Sequence, residues 1–219
     1  MRVGILALQG DVPEHRAAIA PLLGAGTLQE VRRPEELVGL DGLLMPGGES
    51  TTMSKLLRKA GLADPLTDLI RRGLPVLATC AGLILLARDL APGRGGEEPL
   101  PLGLLDVRVR RNEYGRQVDS FEAPLRIPAI GSAPYHGVFI RAPRILAVGA
   151  EAEPIAFRGS EVVGVRQGRI WGLTFHPELS DDPRLHAAWI ASLRAGGQPT
   201  TTQRRNAARS TPPTRAAPQ

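Results

Sequence analysis

Buried-strand runs alternating with helix-spaced segments constrain this chain more than any other feature. "RVGILAL" (2–8) is a nearly unbroken apolar run, as a strand covered on both faces requires. "VPEHRAAIAPLLGAG" (12–26) follows with helical spacing in Val12, Ala18, Ile19, Leu22 and Leu23, and Gly24 and Gly26 are stop signals. "LQEVRR" (28–33) and "DGLLMPGG" (41–48) read as the next two strands. "STTMSKLLRKAG" (50–61) and "PLTDLIRRG" (65–73) read as helices, the first opening on three candidate caps, Ser50, Thr51 and Thr52. "PVLAT" (75–79) is a fourth strand, and the residues after Cys80 return to helix spacing. This order predicts an α/β fold with a mainly parallel central sheet. Aromatic residues are only 4% of the chain, so packing has to rest on Leu, Val, Ile and Ala.

The second half changes character. Residues 91–103 read as a loop. Short runs at 104–110, 117–127, 137–143, 145–150, 154–160, 161–167 and 169–175 are separated by turn residues. They predict strands, several antiparallel, that extend the same sheet. "DPRLHAAWIASLRAGG" (182–197) closes as a helix, with Asp182 as cap and Pro183 in the first turn. One domain over residues 1–196 is expected. Residues 197–219 are rich in Pro, Thr, Arg and Ala without apolar periodicity and read as a disordered basic tail.

Charge and cysteine usage exclude several function classes. The formal net charge is +5, and Arg204, Arg205, Arg209 and Arg215 in an acid-free tail account for all but one unit of it. The body is nearly neutral, so a nucleic-acid-binding role would rest on the tail alone. The single cysteine allows no internal disulfide. The first apolar run meets Gln9, Gly10 and Asp11 too soon for a signal peptide. No run approaches the ~20 apolar residues of a membrane helix. A cytoplasmic protein acting away from membranes is the expectation.

Cys80 lies where a strand gives way to a helix, the elbow at which nucleophiles are lifted out of a sheet. The same position suits a small residue filling the core. A helix N-terminus favours an anion by at most about 2 kcal/mol, so a reactive thiol here also needs a base. Of the four histidines, His15 and His186 fall in helix patterns and His136 in a Pro/Tyr/Gly loop. His176 ends the run "RIWGLTF", on the same rim as Cys80 if both strands run parallel in one sheet. Glu178 is two residues on and shares a side with His176 if Pro177 keeps the stretch extended. His-Pro-Glu at this spacing fits a plain turn or a Cys–His–Glu triad. "MPGGEST" (45–51) is a Gly-rich strand-to-helix turn, or a source of oxyanion N–H groups together with Ala81 after the nucleophile. It lacks the phosphate P-loop pattern.

Together "PGGEST", "TCAGL" and "FHPE" resemble the signatures of the triad (class I) glutamine amidotransferases. "LALQGDVPEH", "LMPGGESTTM", "TCAGLILLA", "RNEYGRQVDSFEA", "GVFIRAP" and "FHPEL" are closer still to the glutaminase-subunit family of pyridoxal 5′-phosphate synthase. The segment from Arg111 to Glu122 is the most telling, because other amidotransferase glutaminases lack it. The resemblance runs in order from residue 2 to about 194, and departs at Ala78, where the family's elbow usually has Gly. It implies a three-layer flavodoxin-like fold with no cofactor and no metal. It further implies that Cys80 attacks the side-chain amide of L-glutamine, that His176 moves the proton and that Glu178 holds His176. Gly48 and Ala81 would supply oxyanion N–H groups. Gly48, Glu49, Ser50, Arg111, Ile140 and Arg141 would bind glutamine, and Gln9 would report partner binding to the site. The implied partner is a (β/α)8-barrel synthase subunit in a hetero-oligomer, which receives the ammonia.

Three alternatives remain at the level of sequence. One is the glutaminase of another ammonia-using synthase, which the 111–122 segment disfavours. Another is a non-enzymatic redox sensor or chaperone-like protein with one oxidisable cysteine, which has no need of His176 and Glu178. The third is a nucleic-acid binder, resting on the tail arginines.

Overall fold

The computed structural model describes residues 1–92, 97–111 and 120–195. The tail 197–219 and most of the 111–122 segment therefore lie outside the described residues.

Twelve strands and five α-helices are described. β1 (Arg2–Leu6), β2 (Thr27–Val31), β3 (Gly42–Met45), β4 (Val76–Thr79) and β12 (Ile170–Leu173) pair in parallel. β11 (Glu161–Gln167) and β10 (Glu153–Arg158) extend the β12 edge antiparallel, giving the order β10-β11-β12-β4-β3-β1-β2. The second half thus does add antiparallel strands to the same sheet. The runs at 104–110, 117–127, 137–143 and 145–150 do not extend it as expected but contribute to two smaller sheets. β5 (Ala87–Ala91), β6 (Leu105–Arg110) and β9 (Arg144–Val148) make one, and the hairpin of β7 (Phe121–Leu125) and β8 (Tyr135–Phe139) makes the other.

The parallel strands are apolar on both faces because each face has its own core. Leu43, Met45, Val76 and Ala78 point to one side, where α2 (Ser50–Lys59), α3 (Ala63–Arg71) and α4 (Ala81–Leu86) pack with β6. Val3, Ile5, Leu44 and Leu77 point to the other, against α1 (Val12–Ile19), α5 (Arg184–Ala195) and the hairpin. Trp189, Tyr135 and Phe139 are fully buried there. The result is three layers with the sheet in the middle. No described helix is long and apolar enough to cross a membrane.

Several expected boundaries move for identifiable reasons. The first helix ends at Ile19 and tightens into a 3₁₀ turn over Ala20–Leu22, because Pro21 has no N–H to continue the ladder. Glu49, rather than Ser50, Thr51 or Thr52, caps α2: its carboxylate accepts from Thr51 N at 3.1 Å and Thr52 N at 2.6 Å. The helix after Cys80 stops at Leu86, and "ARDLA" pairs with β6 instead. Arg88 and Asp89 there meet Asp106 and Arg108 across the strands. The run expected at 137–143 is strand only over 135–139, which places His136 on β8 rather than in a loop. Asp182 does accept from Arg184 N at 3.0 Å at the head of α5.

Candidate functional site

The order β2-β1-β3-β4-β12 leads the chain out to one side of β1 and then back to the other. The reversal opens a crevice at the carboxyl ends of β1 and β3, where ligands gather in doubly wound sheets. Four strand ends meet there. Gln9 and Asp11 follow β1, Gly47 to Ser50 follow β3, Cys80 follows β4 and His176 follows β12. Asp11 N donates to Gly47 O at 3.2 Å and ties the first two loops together.

Cys80 sits between β4 and α4 with φ 46° and ψ −101°. Its N–H donates to Leu173 O at 2.9 Å, so the parallel pairing of β4 with β12 reaches into the elbow. Arg141, with φ 45°, is the other non-glycine residue at positive φ among the described residues, and both line one cavity of about 120 Å³. Left-handed conformations in non-glycine residues are costly and gather where geometry serves function. Gly48 meets the same constraint more cheaply at φ 150°, and a Cβ there would come 2.5 Å from Gln9 Oε1. A Cβ on Gly47 would lie 2.5 Å from His176 Cε1, so this loop approaches the imidazole as only glycine can.

His176 is only 4% exposed. Its Nδ1 lies 2.7 Å from Glu178 Oε1 and 3.3 Å from Asp11 Oδ2. One Nδ1 proton cannot serve both fully; Glu178 takes the hydrogen bond and Asp11 adds charge. The route to that bond differs from the expectation. Residues 177–179 form a 3₁₀ turn rather than an extended stretch, and the turn brings the carboxylate back to the ring. Burial pulls the His176 pKa down, but Asp11, Cys80 and Glu178 together push it up to about 12. Its Nε2 makes no hydrogen bond, although the thiol is close enough to contribute to that shift. Sγ lies 3.9 Å from Ile140 O. Burial also opposes the charge on Glu178, yet His15 and His176 hold its pKa below the usual carboxylate range. Asp11, His176 and Glu178 have ligand atoms within 4.8 Å of one another, a spacing open to a metal ion. A cation there would compete for the Nδ1 lone pair that the Glu178 bond keeps protonated.

The remaining predicted residues are close by. Gly48, Glu49, Ser50, Arg111, Ile140 and Arg141 line the cavity with Cys80 and His176, and Ala81, next to Cys80 in the chain, is fully buried and does not line it. Arg111 Nη2 lies 3.3 Å from Glu49 Oε1 and its Nη1 lies 3.3 Å from Glu98 Oε2. Arg141 lines the same cavity, and its charge helps to lower the Asp11 pKa. Gln9 Oε1 accepts from Glu49 N at 2.8 Å, which sets its side chain beside Gly48 rather than in the cavity lining. Asp11 and Ile84 line the cavity without having been singled out. Asp11 stands at the end of the first strand on the same rim as His176, so the strand-end rule used for His176 would have found it.

The chain matches the SNO glutamine amidotransferase family over residues 5–194. It is 49% identical over 197 residues to a Streptomyces avermitilis protein described as pyridoxal 5′-phosphate synthase subunit PdxT, covering 90% of this chain and 96% of the other. A Thermococcus onnurineus protein with the same description is 52% identical over 195 residues, covering 87% and 98%. A solved structure titled as a glutamine amidotransferase superposes with a TM-score of 0.80 at 44% identity, covering 88% of this chain and 98% of that one.

Proposed function

This chain belongs to the SNO glutamine amidotransferase family, and we propose from that premise that it hydrolyses L-glutamine at Cys80 and passes the ammonia to a pyridoxal 5′-phosphate synthase partner. The observation that supports the site most is the Cys80 elbow on the rim where His176 is tied to Glu178. In the proposed reaction the Cys80 thiolate attacks the carboxamide carbon, and Gly48 and Ala81 N–H groups face the developing oxyanion. The His176 imidazolium gives its Nε2 proton to the departing ammonia, leaving a γ-glutamyl thioester on Cys80. Neutral His176 then takes a proton from water as it attacks the thioester, and glutamate and the thiolate are released.

Arg111 and Arg141 offer guanidinium groups to the substrate α-carboxylate, and Glu49 a carboxylate to its ammonium. Binding on these terms requires the Arg111–Glu49 and Arg111–Glu98 pairs to open. Ammonia released into water is protonated and lost as a nucleophile, so the reaction calls for a dry path to an acceptor site in another chain. The descriptions of the relatives as synthase subunits support a hetero-oligomer. A (β/α)8-barrel partner, with Gln9 relaying its docking to Gly48 and Glu49, completes the proposal. Residues 1–196 serve as the glutaminase domain and 197–219 as an appendage whose deletion leaves glutaminase activity intact. A thiol that must stay reduced to act favours the cytoplasm.

Glutamate release with and without a pyridoxal 5′-phosphate synthase subunit tests the coupling. Weak release alone and a rise on adding that subunit support it. Full activity without any partner, or stimulation only by a different synthase, counts against it.

A further inference from the structure

We propose that His15 is a positioning residue of this site, holding the second oxygen of Glu178 so that the first can hold His176. His15 lies in the first turns of α1, and its side chain is fully buried, as is that of Glu178. The two carboxylate oxygens of Glu178 point in different directions. Oε1 meets His176 Nδ1 at 2.7 Å, while Oε2 lies 3.4 Å from His15 Nε2. Oε2 has no hydrogen bond of its own, so His15 is its polar neighbour inside the core. His15 Nε2 is also 3.1 Å from Oγ1 of Thr79, the residue directly before Cys80. One imidazole thus touches the carboxylate of the triad and the strand end that carries the nucleophile.

The chemistry fixes the tautomer. An ionised carboxylate has no proton to offer, so an Nε2 lone pair facing Oε2 would be repelled. The proton therefore sits on Nε2, between Thr79 Oγ1 and Glu178 Oε2. Nδ1 is then a buried acceptor without a partner, in agreement with its having no hydrogen bond. Replacing His15 with an apolar side chain leaves a buried carboxylate oxygen with no donor in reach, which frees the Glu178 carboxylate to rotate and releases the plane of the His176 ring.

The assignment rests on the triad reading, and the test separates the two. Glutamate release is measured with the synthase subunit present for His15→Leu, His15→Gln, Cys80→Ala and Glu178→Gln, and for the His15→Leu/Glu178→Gln pair. His15→Leu is expected to lower kcat about tenfold, as loss of an outer partner of a functional histidine does, with KM for glutamine changed less than about twofold. His15→Gln, whose amide N–H reaches about as far as Nε2, is expected to restore most of kcat. In the Glu178→Gln background His15→Leu is expected to add no further loss, because it acts through Glu178. Wild-type kcat in His15→Leu, an undiminished further loss in the Glu178→Gln background, or a rise in KM matching the fall in kcat overturns the assignment. If His15→Leu does not fold, His15→Gln is compared with His15→Asn, which is too short to reach Glu178; equal activities overturn it. A dead Cys80→Ala beside a wild-type His15→Leu defeats the His15 role alone, whereas an active Cys80→Ala defeats the triad.

Discussion

His176 and His186 are ten residues apart, both nearly inaccessible, and pulled in opposite directions. Burial pushes both rings toward the neutral form. At His186 burial prevails, and the nearby His15 imidazole works in the same direction, bringing the pKa down to about 4. At His176 the two carboxylates and the thiol outweigh burial and bring it up to about 12. Depth alone does not set a histidine's protonation; the groups facing the ring do. His15 stands between the two, its ring 6.0 Å from His186 in a T-shaped contact and its Nε2 toward Glu178. Burial lowers its pKa as it does for His186, and Glu178 opposes that.

Glu178→Gln is the largest way to break the contrast. It removes the hydrogen-bonded charge on Nδ1 while keeping the shape, and kcat for glutamine hydrolysis is expected to fall on the order of 10³- to 10⁴-fold. The His176 ring, followed by NMR titration, is expected to lose part of its raised pKa; an unchanged titration would show that Glu178 does not hold the proton.

Asp11→Asn trims the contrast rather than removing it. Asp11 sits at 3.3 Å and contributes charge without the short bond, so a loss of about tenfold in kcat is expected. A loss as large as that of Glu178→Gln would mean the two carboxylates exchange roles.

His186→Leu sharpens the other side. The folded protein resists protonating His186 until about pH 4, while the unfolded chain takes up that proton near 6.5. Between those values the unfolded state binds more protons, so stability falls as pH drops from about 6.5 toward 4. His186 alone accounts for about 2 kcal/mol between pH 7 and pH 5. Denaturant unfolding of His186→Leu at the two pH values is expected to show a correspondingly smaller difference, with glutaminase activity unchanged at pH 7. An equal pH dependence in the variant would place the acid sensitivity elsewhere.

What the sequence made legible is what short segments encode. The apolar runs at 2–8, 41–48 and 75–79 are read correctly because burial on both faces leaves no polar alternation to mislead. Cys80, His176 and Glu178 stand out because each belongs to a local strand-end pattern. The exact reach of Glu178 does not follow from i, i+2 spacing, which holds only for an extended stretch, whereas residues 177–179 form a 3₁₀ turn with Pro177 and Glu178 buried. The strand at Ala87–Ala91 is hidden because its pairing partner β6 lies well downstream and "LILLARDL" keeps helical spacing. His15 is hidden for the same reason, since its partner Glu178 lies at the far end of the chain, whereas Asp11 is legible as a strand-end residue.

The central claim is that Cys80 is the nucleophile of a glutamine-hydrolysing triad. Its most direct test is glutamate release by Cys80→Ala with the synthase subunit present. Release is expected to fall to background while the variant keeps its thermal unfolding profile and still binds the subunit. Glutamine hydrolysis at an appreciable fraction of the wild-type rate would contradict the account.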